Sequence, residues 1–585
     1  MRALSWLAAV GLGALAALTP PAPAAAVPIA GTGPVIVLRP GHAVLTRPGS
    51  VRRFVPLPWG PVSFPTLVEA IDDPSWMSLS AQGELHLKAG ISQRPGTELR
   101  VRQPVRMVRL HDAYLSGTRA RVWFEGVTVT SAPESVRRPF VRYLNGSTLT
   151  ATGTTFEGLG SAYTRERGVS VGAGGRLTAV DTTFRGSNRG LDVYRAARVT
   201  LTRVSAIGNA EAGIVLNQAR AVHFTDVTAN DNAGTGLVLR GPLAPELTRV
   251  TSARNRTGVE LSALGAAPLG PLTTENNRHS GVVLDRCAGC VLSGVRSSGD
   301  HTGVLVERQS AGAEVRDGAV HGAGRLGVAV AADRVRLRGL TVQSPAWGVG
   351  LRVLPRVQGV AIESSAVTGG AVGVSTDGAG TTVSGVSVTD ARIGLRIGRD
   401  AENTAVTAVR MSGTETGLQA NAGARGVAVR QLQIAQRGGQ GIRSAAQNMS
   451  VDDTTVQGAR HGMHLKGVAT VRASTVSGAD EAVVAGPRGQ LMFVGGALHG
   501  ESLGLRVSPS SSVILQDTTV DAPQGARGPV QLRGSSTLPA MPVRWIGVFG
   551  LVVIAAAIAL EVVRRLRERR TDRAVSAPSH VTNIA

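Results

Sequence analysis

The chain has 585 residues, with 62 Lys plus Arg against 40 Asp plus Glu and a formal net charge of +22. So basic a balance invites a nucleic-acid reading, but nine Phe, six Trp and four Tyr are too few to stack a run of bases. Lysine occurs only at Lys88 and Lys466, so the basic character is nearly all arginine. A high-GC genome accounts for that as readily as guanidinium groups kept to bind the carboxylates of an acidic polymer.

Residues 1–26 read as a secretory signal: Arg2, an apolar stretch from Leu4 to Leu18, then Ala24-Ala25-Ala26 as a small-residue cleavage region. Export also argues against a nucleic-acid partner. Residues 27–130 combine short strands, several prolines and one predicted helix at Pro65–Ile71. They are expected to form a small β-rich cap, since the open end of a stacked core needs covering.

Residues 131–520 carry the strongest signal. A glycine followed by apolar, any, apolar returns about every 22 residues from Gly168-Val-Ser-Val through Gly190, Gly213, Gly236, Gly258, Gly281, Gly303, Gly327 and Gly348. It continues at Gly373, Gly394, Gly417, Gly441 and Gly462, weakens at Ala482-Val-Val-Ala and closes at Gly504-Leu-Arg-Val. Alternation at period two makes each triplet a strand with one apolar face. Second strands follow in many units, as in Val199-Thr-Leu-Thr and Val222-His-Phe-Thr, with Gly, Asn, Asp and Ser in the turns between. No stretch here holds a 3.6-residue period for three turns, and the Leu-x-x-Leu-x-Leu signature of leucine-rich repeats is absent. The predicted fold is all-β: a right-handed parallel β-helix, a pectate-lyase-like solenoid, in which each coil's apolar face is completed by its neighbours.

Cys287 and Cys290 are the only cysteines. Their spacing resembles half a zinc site, but there is no second pair, and an exported chain favours a disulfide across one turn. His223 alternates with apolar residues and is expected to face outward, while His279 and His301 fall at turns before repeat glycines. No His-x-His or His-Glu-x-x-His spacing supports a transition metal. No cofactor is expected; calcium in an acidic turn stays open, without an Asp ladder to argue for it.

Residues 521–542, rich in Pro, Gly and Ser, read as a linker. Residues 543–563 are expected to be a transmembrane helix, with 19 mostly apolar residues from Trp545 to Val563 and Glu561 as the only acid. Residues 564–585 begin Arg564-Arg-Leu-Arg-Glu-Arg-Arg, a basic cluster of the kind retained in the cytoplasm. The expected topology is a cell-membrane protein with one span, the β-helix outside and a short tail inside.

Arg137-Arg-Pro-Phe-Val-Arg-Tyr-Leu, Thr154-Thr-Phe-Glu-Gly-Leu-Gly and Arg167-Gly-Val-Ser-Val, followed by Asn276-Asn-Arg-His-Ser-Gly-Val-Val-Leu-Asp-Arg and Asp300-His-Thr-Gly-Val-Leu-Val-Glu, form an ordered series. It resembles the coils of the periplasmic mannuronan (alginate) C5-epimerases over roughly residues 120 to 320. The resemblance implies a β-helix enzyme in which an arginine neutralises a uronate carboxylate, a base removes the C5 proton and an acid returns one to the opposite face. In that family the histidine sits in an Asp-Pro-His-Asp motif. The matching coil here reads Gly213-Ile-Val-Leu-Asn-Gln, so Val215, Leu216, Asn217 and Gln218 replace the motif with groups that do not titrate near neutrality. The resemblance places the carboxylate-neutralising arginine at Arg240 and an aromatic position at Tyr194.

Residues two and four places after each repeat glycine are expected to point outward and write a column on the surface. It reads Asp192, Tyr194, Asn217, Arg240, Glu260, Asp285 and Glu307, with Arg195, Arg286 and Arg308 beside it. This polar groove is a track for an acidic polysaccharide. The leading function is therefore a membrane-tethered extracytoplasmic β-helix that binds or presents an acidic exopolysaccharide without epimerase activity. The alternatives are an active polyuronate epimerase or lyase working through Tyr194 and Arg240, and a structural scaffold in an exopolysaccharide or envelope assembly.

Overall fold

The computed structural model describes residues 33–574 except 137, 162–166, 242–244, 267 and 540–544. The expected signal segment, and the tail beyond residue 574, lie outside the described residues. The chain divides into two compact units, Met1–Val283 and Leu284–Ala585.

The first unit opens with an antiparallel meander, Val35–Arg39 against His42–Thr46 and that strand against Arg53–Pro56. Helix α1, Phe64–Ile71, is where the sequence places a helix. The Ser63 hydroxyl accepts from the Thr66 amide, a proline sits in the first turn, and Asp72 ends the helix in the left-handed conformation. Phe64, Leu67 and Ile71 are its buried side chains.

Parallel coils begin earlier than expected. Gly90–Gln93, Glu98–Val101 and Met107–Leu110 already pair in parallel with Tyr114–Thr118, Arg121–Glu125 and Thr128–Ser131. The boundary at 130 is therefore corrected to about Gly90, and only the segment before it has the antiparallel pairing of a cap. The first coils escaped the glycine pattern because Tyr114 and Phe140 stand in register where later coils have Gly168. Their rings stack on each other at 5.1 Å.

Most coils contribute three strands, merged into longer ones at Arg198–Ile207, Ala221–Asn230 and Glu246–Ala253, and like positions stack. Phe124, Phe156 and Phe184 are fully buried and in ring contact at 5.2 and 5.4 Å. At one corner Asn209, Asn232, Asn255 and Asn277 form a buried ladder. Each later Oδ1 accepts both the backbone amide and the side-chain amide of the preceding asparagine, at 2.9 to 3.2 Å. These amides satisfy a turn that the interior would otherwise leave unpaired.

The repeat glycine is needed for close approach between coils. A Cβ at Gly213 would lie 2.6 Å from the Gly236 carbonyl oxygen and 2.9 Å from Asn232 Nδ2. Only a residue without a side chain lets the next coil seat there.

In the second unit the corresponding sheet runs from Thr302–Val306 through Leu326–Val330, Val349–Val353, Val372–Thr376, Ile393–Ile397, Thr416–Ala420 and Gln440–Ser444 to His461–Leu465. Two 18-residue strands, Val468–Ala485 and Gln490–Val507, then pair in parallel around the corners, with register shifts between Val476 and Glu481. Leu326–Val330 pairs with Val349–Val353 so that Val328 faces Leu351. The repeat glycine is therefore Gly350, which corrects Gly348 and evens the spacing on both sides. A Cβ at Gly350 would meet Val367 Cγ1 at 2.4 Å and the Gly373 carbonyl at 2.6 Å, whereas Gly348 lies in a turn beside Pro345.

The linker expected at 521–542 is also corrected. Gln524–Arg527 and Gln531–Arg533 pair in parallel with the coil before them, and Thr519 bridges Thr537. Gly525 takes the repeat position, its carbonyl against Gly504, so one more coil is present before residue 540. Helix α2, Trp545–Ala574, covers the expected span. No helix among the described residues is long and apolar enough to cross a membrane, and the side chains of 545–549 lie outside those described.

Candidate functional site

In the first unit the strands Arg189–Tyr194, Ala212–Asn217, Thr235–Arg240 and Thr257–Ser262 stack in register on one sheet. The residues expected in a single outward column fall into two. Asp192, Val215, Val238 and Glu260 form one, and Tyr194, Asn217, Arg240 and Ser262 the other. This corrects the single track, because positions two apart share a face but lie roughly 6.6 Å apart along the strand.

The middle of the first column is apolar. Ala212, Val215 and Val238 make a buried cluster, with Val215 5% and Val238 4% exposed. An ionic knot stands to one side. Arg189 bonds both Asp192 (3.3 Å) and Glu211, and Arg167 bonds the other Glu211 oxygen at 2.5 Å. Burial raises the Asp192 carboxyl above its usual range, against the pull of Arg189 and Arg167. Burial pushes Glu211 up as well, but the Arg189 hydrogen bond and the two guanidinium charges outweigh it and bring that carboxyl below its usual range.

In the second column Arg240 is engaged by Glu260, which accepts from Nε at 3.1 Å and Nη2 at 2.7 Å on one oxygen. Tyr194 is half-exposed, with the Arg195 guanidinium 4.9 Å above its ring, and Arg195 Nε donates to Gln218 Oε1 at 2.7 Å. Asn217 lies between Tyr194 and Arg240. That separates the two by two strand spacings, about 9.6 Å. His223 is on another sheet, exposed, and bonded to Glu246 at 2.8 Å.

The remaining expected residues belong to the second unit. Asp285, Arg286, Glu307 and Arg308 line an open groove of about 640 Å³ with Leu305, Gln309 and Ala331. Arg286 bonds its own neighbour Asp285 at 2.9 to 3.0 Å. Cys287 and Cys290, joined by a disulfide, follow immediately.

A further cluster lies beyond Glu307, where the expected column ends. Glu481, 7% exposed, is held by Arg506 and has His461 Nε2 3.5 Å from its other oxygen. His464 is two coils from Arg506 in the same column, and its ring is 6.5 Å from that of His461. Burial holds both imidazoles below their usual range, with Arg460 and Arg506 adding to the effect at His461, and Lys466 and Arg443 at His464. The signal for this cluster was present two residues after Gly462 and Gly504. Among the described residues no group of three or more His, Cys, Asp or Glu is arranged to hold a metal.

Residues 114–263 match the family model of the right handed beta helix region, so the coils of this segment are right-handed. No curated protein matches. Among solved structures the chain is similar to a double mutant of the periplasmic alginate epimerase AlgG, at 15% identity and a TM-score of 0.45 over 58% of this chain and 85% of that one. It is also similar to the Siphovirus 9NA tailspike receptor binding domain, at 10% identity and a TM-score of 0.25 over 83% and 78% of the two chains. A third is the A-module of the Azotobacter vinelandii mannuronan C-5 epimerase AlgE4, at 10% identity and a TM-score of 0.18 over 68% and 91%.

Proposed function

We propose that this β-helical chain is a membrane-tethered, extracytoplasmic protein that binds an acidic polysaccharide on its open sheet faces and does not epimerise it. The observation that carries the reading is the rung at Gly213. Where the resembling epimerases have a titrating motif, Val215 is buried beside Ala212 and Val238, and Asn217 stands between Tyr194 and Arg240. Neither residue can remove a proton from carbon near neutral pH. Arg240, the arginine the resemblance assigns to the uronate carboxylate, already has Glu260 as its counter-ion.

Export is supported by the leader-like first 26 residues and by the Cys287–Cys290 disulfide, which persists in oxidising compartments. Tethering is supported by helix α2. Leu551, Val552, Val553 and Ile554, four consecutive residues that sample every side of a helix, are 58 to 71% exposed. An apolar segment uncovered on every side of its helix finds its solvent in a bilayer.

The test uses the full chain in detergent with a polyuronate in heavy water. Retention of the polymer without deuterium at C5 is the expected result. Exchange at C5 would establish an enzyme instead, and loss of exchange in Tyr194→Phe would assign it to Tyr194.

A further inference from the structure

We infer that the second unit carries its own binding track for a linear, carboxylate-bearing polysaccharide, on the sheet face from Arg352 to Arg506. The inference rests on the acidic-glycan reading above and assigns it to residues that lie outside the track expected from the sequence.

Strand register puts Arg352, Ser375, Arg396, Gln419, Arg443, His464, Val484 and Arg506 in one unbroken column. Arginine recurs on alternate coils at Arg352, Arg396 and Arg443, and no acid stands anywhere in the column. At several corners of this protein, by contrast, an arginine is matched by an aspartate in the adjacent coil. Arg203 meets Asp181 at 2.6 Å and Arg254 meets Asp231 at 2.7 Å, while Arg249 bonds Asp226. Those pairs hold corners together. Among the described residues, Arg352, Arg396 and Arg443 have no carboxylate partner.

What they do have is neutral support. Both Nε and Nη2 of Arg396 donate to Ser375 Oγ, at 3.2 and 3.0 Å, which lays the guanidinium across the coil before it. Arg352 Nε is buried without a hydrogen-bond acceptor, so any ligand carboxylate would be met by the outer nitrogens of its guanidinium. The flanking positions two residues further on carry one acid, Asp377, and one base, Lys466, so the face keeps its positive balance. A column of like charges gains nothing for folding, and an anion lying along it would offset the repulsion.

The spacing suits such an anion. Alternate coils are about 9.6 Å apart, and an extended 1,4-linked pyranose chain advances by about one strand spacing per sugar. A polymer lying along the stacking direction therefore brings the carboxylate of every second sugar to an arginine, in the planar two-point geometry that guanidinium favours.

The experiment measures affinity of the full chain in detergent for polyuronate, for the same polymer with its carboxylates esterified, and for a sulfated glycan of similar length. Wild type should bind the free polyuronate and release the ester. The triple variant Arg352→Gln, Arg396→Gln, Arg443→Gln should bind at least about tenfold more weakly. A charge-matched control, Arg336→Gln, Arg338→Gln, Arg410→Gln, alters exposed arginines of the other two sheets and should bind as wild type. Circular dichroism and the thermal midpoint establish that both variants are folded. Equal loss in the two variants, or preference for the sulfated polymer, would overturn the track while leaving glycan binding standing. Absence of binding by the wild type to any of the three would remove the functional reading and the track together.

Discussion

At the residue scale, arginine on this protein does two different things, and its partners distinguish them. At the corners it is matched to aspartate one coil away, and the Arg203 and Arg249 hydrogen bonds hold Asp181 and Asp226 below the usual carboxylate range. On the open face of the second unit Arg352, Arg396 and Arg443 have no carboxylate partner among the described residues, while Arg506 holds Glu481. Composition alone cannot separate these uses, which is why the overall charge left a genomic bias and an acidic partner equally open. The histidines of the same face yield a pH prediction. His461 and His464 have folded pKa values below their usual 6.5, so the unfolded chain binds protons first as pH falls. Stability is full above about pH 6.5 and is lost as pH drops through the folded values. The double variant His461→Gln, His464→Gln should flatten the fall of thermal midpoint between neutral and mildly acidic pH. An unchanged acid profile would show that other groups control it.

At the scale of the element, the coil is a unit whose fit depends on a few close approaches. Asn232→Ala removes the acceptor for two donors of Asn209 and the donor to Ala206 and Asn255. It should cost about 3 kcal/mol, read as a lower denaturation midpoint, whereas loss of an exposed side chain should cost far less. Gly350→Ala should destabilise by about 1–3 kcal/mol through its clash with Val367 and the Gly373 carbonyl. Gly348→Ala, whose nearest contact would be Pro345 at 3.1 Å, should be tolerated better. The reverse order would contradict the register. These two glycines also show how far the pattern was legible. Gly348-Val-Gly-Leu and Gly350-Leu-Arg-Val both satisfy glycine, apolar, any, apolar, or nearly so, and only pairing decides between them. The choice matters for function, because counting from Gly348 puts Arg352 four places on, out of line with Ser375 and Arg396, whereas counting from Gly350 places all three in one column. The same limit explains the two fused columns, since alternation assigns a face but not a place along the strand. At the start of the solenoid Tyr114 and Phe140 concealed the first coils, and at its end a Pro- and Gly-rich composition concealed the coil at Gly525.

At the scale of the whole molecule, the described pieces are coils in two compact units and a helix after the last coil, and the proposed tether makes a prediction about where the chain is found. The full chain should sediment with membranes and resist alkaline extraction. A chain ending at Leu538, before α2, should be released to the soluble fraction with the far-ultraviolet spectrum of β-structure. Release of the full chain by alkali would contradict the tether.

All strands of the Arg352–Arg506 face run in the same direction, so that face has no two-fold axis. A chain with distinct reducing and non-reducing ends, laid across it, meets a different surface when reversed. The face therefore has a built-in sense of direction. On the proposed track, a long glycan would bind in one preferred sense, the same on every molecule.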